Sequence, residues 1–133
     1  HGGHVGSSVF PVYWAVYLGT PLKAINRFVT AIHGNSWGYF YLEGSNDCGT
    51  GSNFYSNGTW TTLSFSGSNN SNLQNMGGNS SGYGDGTQLS FTYNNNIGYL
   101  AYRIRIVDAS RANQSIGAFY GGSGGYWMRL DRT

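Results

Sequence analysis

Apolar and polar residues alternate with a period of two in two neighbouring segments, and this alternation constrains the fold more than any other feature. The segments are Thr87–Tyr93 and Ile97–Val107. Successive side chains of a β-strand point to opposite faces, so this period predicts strands with one buried face. Asn94–Asn96 between them predicts a hairpin turn, because asparagine tolerates positive φ. The residues predicted to face the core are Leu89, Phe91, Tyr93, Leu100, Tyr102, Ile104 and Ile106, with Arg103 and Arg105 on the opposite face.

Other short segments rich in β-branched and aromatic residues recur between turn-rich stretches. Pro11 places the first of them at a sheet edge or a strand start, because proline donates no ladder hydrogen bond. The pattern predicts a single-domain, all-β chain folded as a β-sandwich or a β-prism-like structure. These further strands are predicted at Val9–Leu18, Trp37–Leu42, Thr59–Phe65, Ser115–Tyr120 and Tyr126–Asp131.

Residues 21–33 fit two different structures. Pro21 ahead of an apolar stripe, with Gly34 behind it, is typical of a short helix. The same residues followed by the pair Gly34–Asn35 fit a β-hairpin with a two-residue turn. The hairpin is favoured because the rest of the chain is predicted as β, and one short helix near residues 21–33 stays open.

The length of 133 residues predicts one domain with one hydrophobic core. We interpret residues 1–8 as a flexible leader or tag remnant and residues 9–133 as the domain. Cys48 is the only cysteine, so no intramolecular disulfide can form. No apolar run approaches the roughly 20 residues that a membrane-spanning helix needs, so membrane insertion is not expected.

Only 9% of the residues are charged, while 17% are aromatic, and the net charge is +2. No clustered basic stripe is present, so nucleic acid is not an expected partner. Gly, Ser, Asn and Thr dominate Gly44–Gln88, which we interpret as ordered loops carried on a sheet. Uncharged polar groups together with aromatic rings suit glycans, because hydroxyls bond to amides and a sugar C–H face lies on a ring.

The glycine-rich segment Gly121–Asp131 is the first candidate binding loop. Its glycines allow close approach of a ligand to the backbone, and Tyr126 and Trp127 offer rings for stacking. Gly122–Met128 resembles the sugar-site loop of jacalin-related lectins, in which a G-S-x-G-Y-W pattern precedes an aspartate that binds sugar hydroxyls. That position is Arg129 here, and Asp131 stands two residues later. The resemblance implies a lectin fold with a sugar site at this loop, and we predict that Tyr126, Trp127 and Asp131 bind carbohydrate there.

A second candidate loop, Gly82–Gly86, places Tyr83 and Asp85 on one glycine-rich tip. The carboxylate can accept from two hydroxyls while the ring covers a C–H face. Tyr83 and Asp85 therefore join Tyr126, Trp127 and Asp131 as the predicted carbohydrate-binding residues.

Enzymatic chemistry has less support. His1 with its amino group is similar to the copper site of lytic polysaccharide monooxygenases, but the only other histidines are His4 and His33, both early in the chain. The five acidic residues form no paired motif for glycoside hydrolysis. We therefore expect no catalytic residues, no metal site and no cofactor, with the copper enzyme as the alternative.

The sequence thus predicts a carbohydrate-binding, lectin-like or adhesin domain that is secreted or displayed on an extracellular surface, where it mediates adhesion to cell-surface glycans. Affinity per site would be modest, so a homo-oligomer or display on a pilus or phage fibre tip would add multivalency. A structural protein-contact module, whose exposed aromatic rings form an interface, is the competing interpretation.

Overall fold

The computed structural model describes residues 11–31, 38–67, 71–75, 88–108 and 127–133. Within these ranges the chain is almost entirely β, as predicted, and its only helical element is a single 3₁₀ turn at Phe54–Ser56. No helix of the described ranges is long and apolar enough to cross a membrane. The strands are β1 Val12–Tyr17, β2 Arg27–Ala31, β3 Tyr39–Ser45, β4 Thr61–Thr62, β5 Ser64–Phe65, β6 Gln74–Asn75, β7 Gln88–Asn94, β8 Ala101–Asp108 and β9 Trp127–Asp131.

The strands form two antiparallel sheets. The first sheet has the order β1-β8-β3-β4, and β6 also pairs with β3. The second sheet has the order β5-β7-β2-β9. β1 lies at the end of its sheet order and begins directly after Pro11, in agreement with both predictions for that residue.

The core lies between the sheets and consists mainly of aromatic and branched side chains. The Phe40 ring of β3 meets Phe28 of β2 at a centroid distance of 5.4 Å and Phe91 of β7 at 5.0 Å, both edge to face. Edge-to-face packing suits the ring quadrupoles, and burial of each such ring contributes about 2–3 kcal/mol. These contacts join the two sheets, so the β-sandwich prediction is confirmed.

The alternation in β7 is confirmed, but the turn predicted between β7 and β8 is wrong. In β8, Tyr102, Ile104 and Ile106 face the core as predicted, whereas Leu100 lies before the strand and is only half-buried. Phe91 and Tyr93 are buried while Ser90 and Thr92 are exposed. β7 pairs with β2 and β5, whereas β8 pairs with β1 and β3, so Asn94–Asn96 carries the chain from one sheet to the other. Asparagine suits this crossing as well as it suits a hairpin, because its side chain can satisfy the backbone groups that the sheets leave unpaired.

Residues 21–33 also behave differently from both predictions. Within the described part, 21–31, there is no helix, and Arg27–Ala31 forms β2. β2 pairs with β7 and β9, while β3 lies in the other sheet, so the two do not form a hairpin. The sequence Phe28-Val29-Thr30 is buried on both faces, and burial on two sides removes the one-sided pattern that distinguishes hairpin arms.

The strand predicted at Thr59–Phe65 is two strands. β4 joins the first sheet and β5 joins the second, with Leu63 buried between them. The Leu63 N–H donates to the Leu42 carbonyl at 2.9 Å, so the chain stays tied to β3 as it changes sheet. The strand predicted at Tyr126–Asp131 is confirmed from residue 127, and the one predicted at Ser115–Tyr120 lies outside the described residues.

Candidate functional site

The structure places only part of the predicted site. Tyr83, Asp85 and Tyr126 lie outside the described residues. Trp127 begins β9, where its backbone is paired with Ala31. Asp131 ends the same strand, opposite Arg27, and is the one predicted site residue whose side chain is described. The structure therefore leaves the grouping of the five residues as a prediction.

Asp131 is engaged by arginine. Its Oδ2 accepts from the Arg27 Nη2 at 2.9 Å and its Oδ1 accepts from the Arg129 Nε at 2.7 Å. The hydrogen bond from Arg129, followed by that from Arg27, holds the pKa of this carboxyl below its ordinary value. Both oxygens thus already have cationic donors, and a sugar hydroxyl would have to compete with them.

A polar cleft opens at the end of the sandwich where β7 ends and the chain crosses towards β8. Its volume is about 420 Å³, and it is wide open to solvent. We call it the asparagine cleft, and its lining residues are Asn26, Tyr93, Asn94, Asn95 and Asn96.

Two of these asparagines are fixed by the fold. The Asn26 Nδ2 donates to the Thr133 Oγ1 at 2.8 Å, and its Oδ1 accepts from the Thr133 N–H at 2.9 Å. The Asn95 Nδ2 donates to the carbonyls of Ile25 at 2.8 Å and Ile97 at 3.0 Å. The two side chains therefore hold the walls of the cleft in place.

The other two asparagines are uncommitted. Asn94 and Asn96 are exposed, and their side-chain amides form no hydrogen bond with the described residues. Each amide offers two N–H donors and one carbonyl acceptor. The Asn94–Asn96 run is visible in the sequence, where it predicts a turn, but no local pattern indicates that Asn26 lies beside it.

Among the described residues that line the cleft, only Tyr93 has a titratable side chain. The residue is 2% exposed, and its hydroxyl has no hydrogen-bond partner among the described residues. Desolvation by burial raises the pKa of this hydroxyl, so it stays neutral at physiological pH. The described residues that line the cleft therefore carry no charged side chain.

A second notable surface covers the outer side of the first sheet. We call it the arginine–aromatic face. The Arg103 guanidinium carbon lies 4.8 Å from the Tyr13 ring centroid and 4.4 Å from that of Trp60, and Arg105 lies 4.8 Å from that of Tyr41. Arg103 also donates to the Tyr55 carbonyl. The face consists of Tyr13, Tyr41, Glu43, Tyr55, Trp60, Arg103 and Arg105.

Glu43 stands at the centre of this face and is buried. Its Oε1 accepts from the Nε atoms of Arg103 and Arg105, each at 2.9 Å, and its Oε2 accepts from the Thr62 hydroxyl at 2.7 Å. Desolvation alone would raise the pKa of Glu43, but the hydrogen bonds from Arg105, Thr62 and Arg103 outweigh it and lower the pKa. The shared face of Arg103 and Arg105 was predicted, whereas their acidic partner was not.

The histidines proposed for copper, His1, His4 and His33, all lie outside the described residues. Among the residues that the structure describes, no group of three or more His, Cys, Asp or Glu side chains could hold a metal ion. Cys48 is buried as a free thiol.

Comparison with known proteins found no matching family model, no similar curated protein and no similar solved structure.

Proposed function

We propose that this chain is a carbohydrate-binding domain and that a neutral sugar binds in the asparagine cleft. The observation that carries the proposal is the pair of uncommitted amides, Asn94 and Asn96, beside the fixed Asn26 and Asn95. Asn26 and Asn95 hold the walls of the cleft. The amides of Asn94 and Asn96 can then bond to a ligand that carries several neighbouring hydroxyls.

The described residues that line the cleft have no charged side chain, which favours a neutral ligand. The lining contains four asparagines and one buried tyrosine, and none of these side chains is ionised at physiological pH. A cationic or anionic ligand would lose hydration without gaining an ion pair, whereas a polyol would exchange water hydrogen bonds for amide hydrogen bonds. The cleft volume of about 420 Å³ falls within the range of small-molecule sites, about 300–1,000 Å³.

The same composition favours binding over catalysis. Glycoside cleavage requires an acid and a base or nucleophile beside the scissile bond, and the described residues that line the cleft include no carboxylate. An open cleft with a few neutral hydrogen bonds gives modest affinity per site. Display of several copies on an oligomer or a larger extracellular assembly would therefore suit adhesion to cell-surface glycans.

A neutral-glycan array tests this proposal with three chains: the unchanged chain, the double variant Asn94→Ala/Asn96→Ala and the control Asn57→Ala. Asn57 is exposed outside the cleft, and its amide donates to Asn53. We expect the double variant to bind at least about tenfold more weakly, because each lost hydrogen bond contributes about 1 kcal/mol. The control should bind normally. Absence of binding to every neutral glycan, or equal binding by the double variant, would contradict the proposal.

A further inference from the structure

We propose that the arginine–aromatic face contains a second, independent site, centred on Arg105, that binds the carboxylate of an acidic saccharide. The asparagine cleft lies at the crossing from β7 to β8, whereas Arg105 lies in the middle of β8 on the outer side of the other sheet. The two sites share no residue.

The face carries an excess of positive charge. Arg103 and Arg105 both bind the one carboxylate of Glu43, so two guanidinium charges face one carboxylate charge. The low pKa of Glu43 keeps that carboxylate ionised, yet one positive charge remains. The remaining charge matches a monoanion.

Arg105 is the member of the pair that can reach a ligand. Its Nε and Nη2 donate to Glu43, each at 2.9 Å, which uses one edge of the guanidinium. The Nη1 hydrogens and the second Nη2 hydrogen have no partner among the described residues. Together they form a second fork that suits a planar carboxylate. The Arg105 side chain is 28% exposed, whereas that of Arg103 is 11% exposed and lies between two rings.

Two tyrosines lie on the strands next to Arg105: the Tyr41 ring centroid is 4.8 Å from the Arg105 guanidinium carbon, whereas the Tyr13 ring lies over Arg103. Tyr13 of β1 and Tyr41 of β3 are the cross-strand partners of Arg105, so the three residues form one row across three adjacent strands. Strands lie about 4.8 Å apart, so the row spans roughly 10 Å, comparable with one or two sugar rings. A carboxylate on the Arg105 fork would bring the attached sugar ring beside a tyrosine, whose ring can cover C–H groups. A row with one cation and two rings therefore fits a uronate better than a bare anion.

The test is a titration of the full chain with sodium glucuronate, glucose and inorganic phosphate at low ionic strength. Calorimetry measures the affinity, and NMR chemical-shift changes locate the binding site. At this face we expect glucuronate to bind at least about tenfold more tightly than glucose. We expect its affinity to fall as salt is added. Arg105→Lys keeps the positive charge but loses the paired N–H donors of the guanidinium, so the affinity for glucuronate should fall about tenfold. The matched control Arg129→Lys, on the other sheet, should have no effect.

Four outcomes would overturn the proposal: equal binding of glucuronate and glucose at this face, normal glucuronate binding by Arg105→Lys, phosphate binding more tightly than glucuronate, or loss of glucuronate binding in Asn94→Ala/Asn96→Ala. The last variant separates the two sites, because failure of the cleft leaves binding at Arg105 unchanged. If Arg105→Lys does not fold, NMR shifts of the Tyr13 and Tyr41 amides in the unchanged chain decide. Shifts induced by glucuronate and not by glucose support the site, and their absence contradicts it.

Discussion

Each sheet carries, on its outer side, one carboxylate bound by two arginines, but the two clusters lie in different environments. Glu43 has a side chain that is 3% exposed, and the rings of Tyr13 and Trp60 cover its partner Arg103. Asp131 is 17% exposed, and its partner Arg129 is 51% exposed. A carboxylate with two arginine partners is thus largely enclosed on the first sheet, where only Arg105 keeps substantial access to solvent, and more open to water on the second sheet.

Burial, rather than the number of ion pairs, decides what each cluster contributes to stability. Removal of one partner from a buried pair leaves an uncompensated charge and costs about 3–5 kcal/mol, whereas an exposed pair contributes about 0–1 kcal/mol. The aromatic rings that cover Arg103 and Arg105 therefore help to keep this ion-pair cluster away from water. The stability of the first sheet should therefore depend on its ion-pair cluster, whereas the stability of the second sheet should not.

The largest expected effect follows from Glu43→Gln. Loss of this charge leaves Arg103 and Arg105 facing each other in a partly dehydrated site, so the free energy of unfolding should fall by about 3–5 kcal/mol. Urea unfolding followed by circular dichroism measures this. A loss under about 1 kcal/mol would mean that water reaches the cluster and that burial does not distinguish Glu43 from Asp131.

Acid should remove the same stabilisation. The folded-state pKa of Glu43 lies below its ordinary value of 4.5, so its contribution is complete above that value and is lost as pH falls through the folded pKa. The hydrogen bonds from Arg129 and Arg27 lower the pKa of Asp131, and the hydrogen bond from the Thr59 N–H lowers the pKa of Asp47, so both carboxyls act in the same direction. Unfolding measured from pH 7 to pH 2 should show a steeper loss for the unchanged chain than for Glu43→Gln. If stability falls equally steeply with pH in the unchanged chain and in Glu43→Gln, ionised Glu43 does not supply this stabilisation.

An intermediate effect is expected for Trp60→Leu. The ring lies over the Arg103 guanidinium, and its Nε1 donates to the Asn57 carbonyl at 2.8 Å. Leucine keeps an apolar side chain but loses the ring quadrupole and the N–H donor, so about 1–2 kcal/mol of stability should be lost. Combined with Glu43→Gln in a double-mutant cycle, the two losses should be less than additive. Simple additivity would show that the ring does not enclose the cluster.

The smallest effect is expected for Asp131→Asn. Its arginine partners are substantially exposed, so the free energy of unfolding should change by less than about 1 kcal/mol, and added salt should make the difference smaller. Thermal unfolding at low and high salt measures both. A loss as large as that of Glu43→Gln would remove the distinction between the two sheets.

The sequence predicted which residues are buried better than it predicted which strands are neighbours. The period of two in Thr87–Tyr93 identified the core side of β7, because alternation is a local consequence of strand geometry. The hairpins predicted with turns at residues 34–35 and 94–96 were wrong, and so was the single strand predicted at Thr59–Phe65, because in each case the chain passes from one sheet to the other. The residues that suit such a crossing also suit a hairpin turn. The distinction depends on tertiary packing, which a short window of sequence does not contain.

The candidate sites show the same division. The period of two placed Arg103 and Arg105 on one face, but Glu43 lies 60 positions away from Arg103 and no local pattern links them. The Asn94–Asn96 run was visible, yet the cleft also needs Asn26, which reaches it only because β2 pairs with β7. The loops containing Tyr83, Asp85 and Tyr126 remain predicted binding loops outside the described residues.

The most direct test of the central claim is NMR shift mapping of the ¹⁵N-labelled chain with the neutral glycan that binds best on the array. We predict that the largest shifts fall on the side-chain amides of Asn94 and Asn96, with smaller shifts at Asn26 and Asn95. Largest shifts at residues 82–86 or 121–127, or at the arginine–aromatic face, would contradict binding in the asparagine cleft.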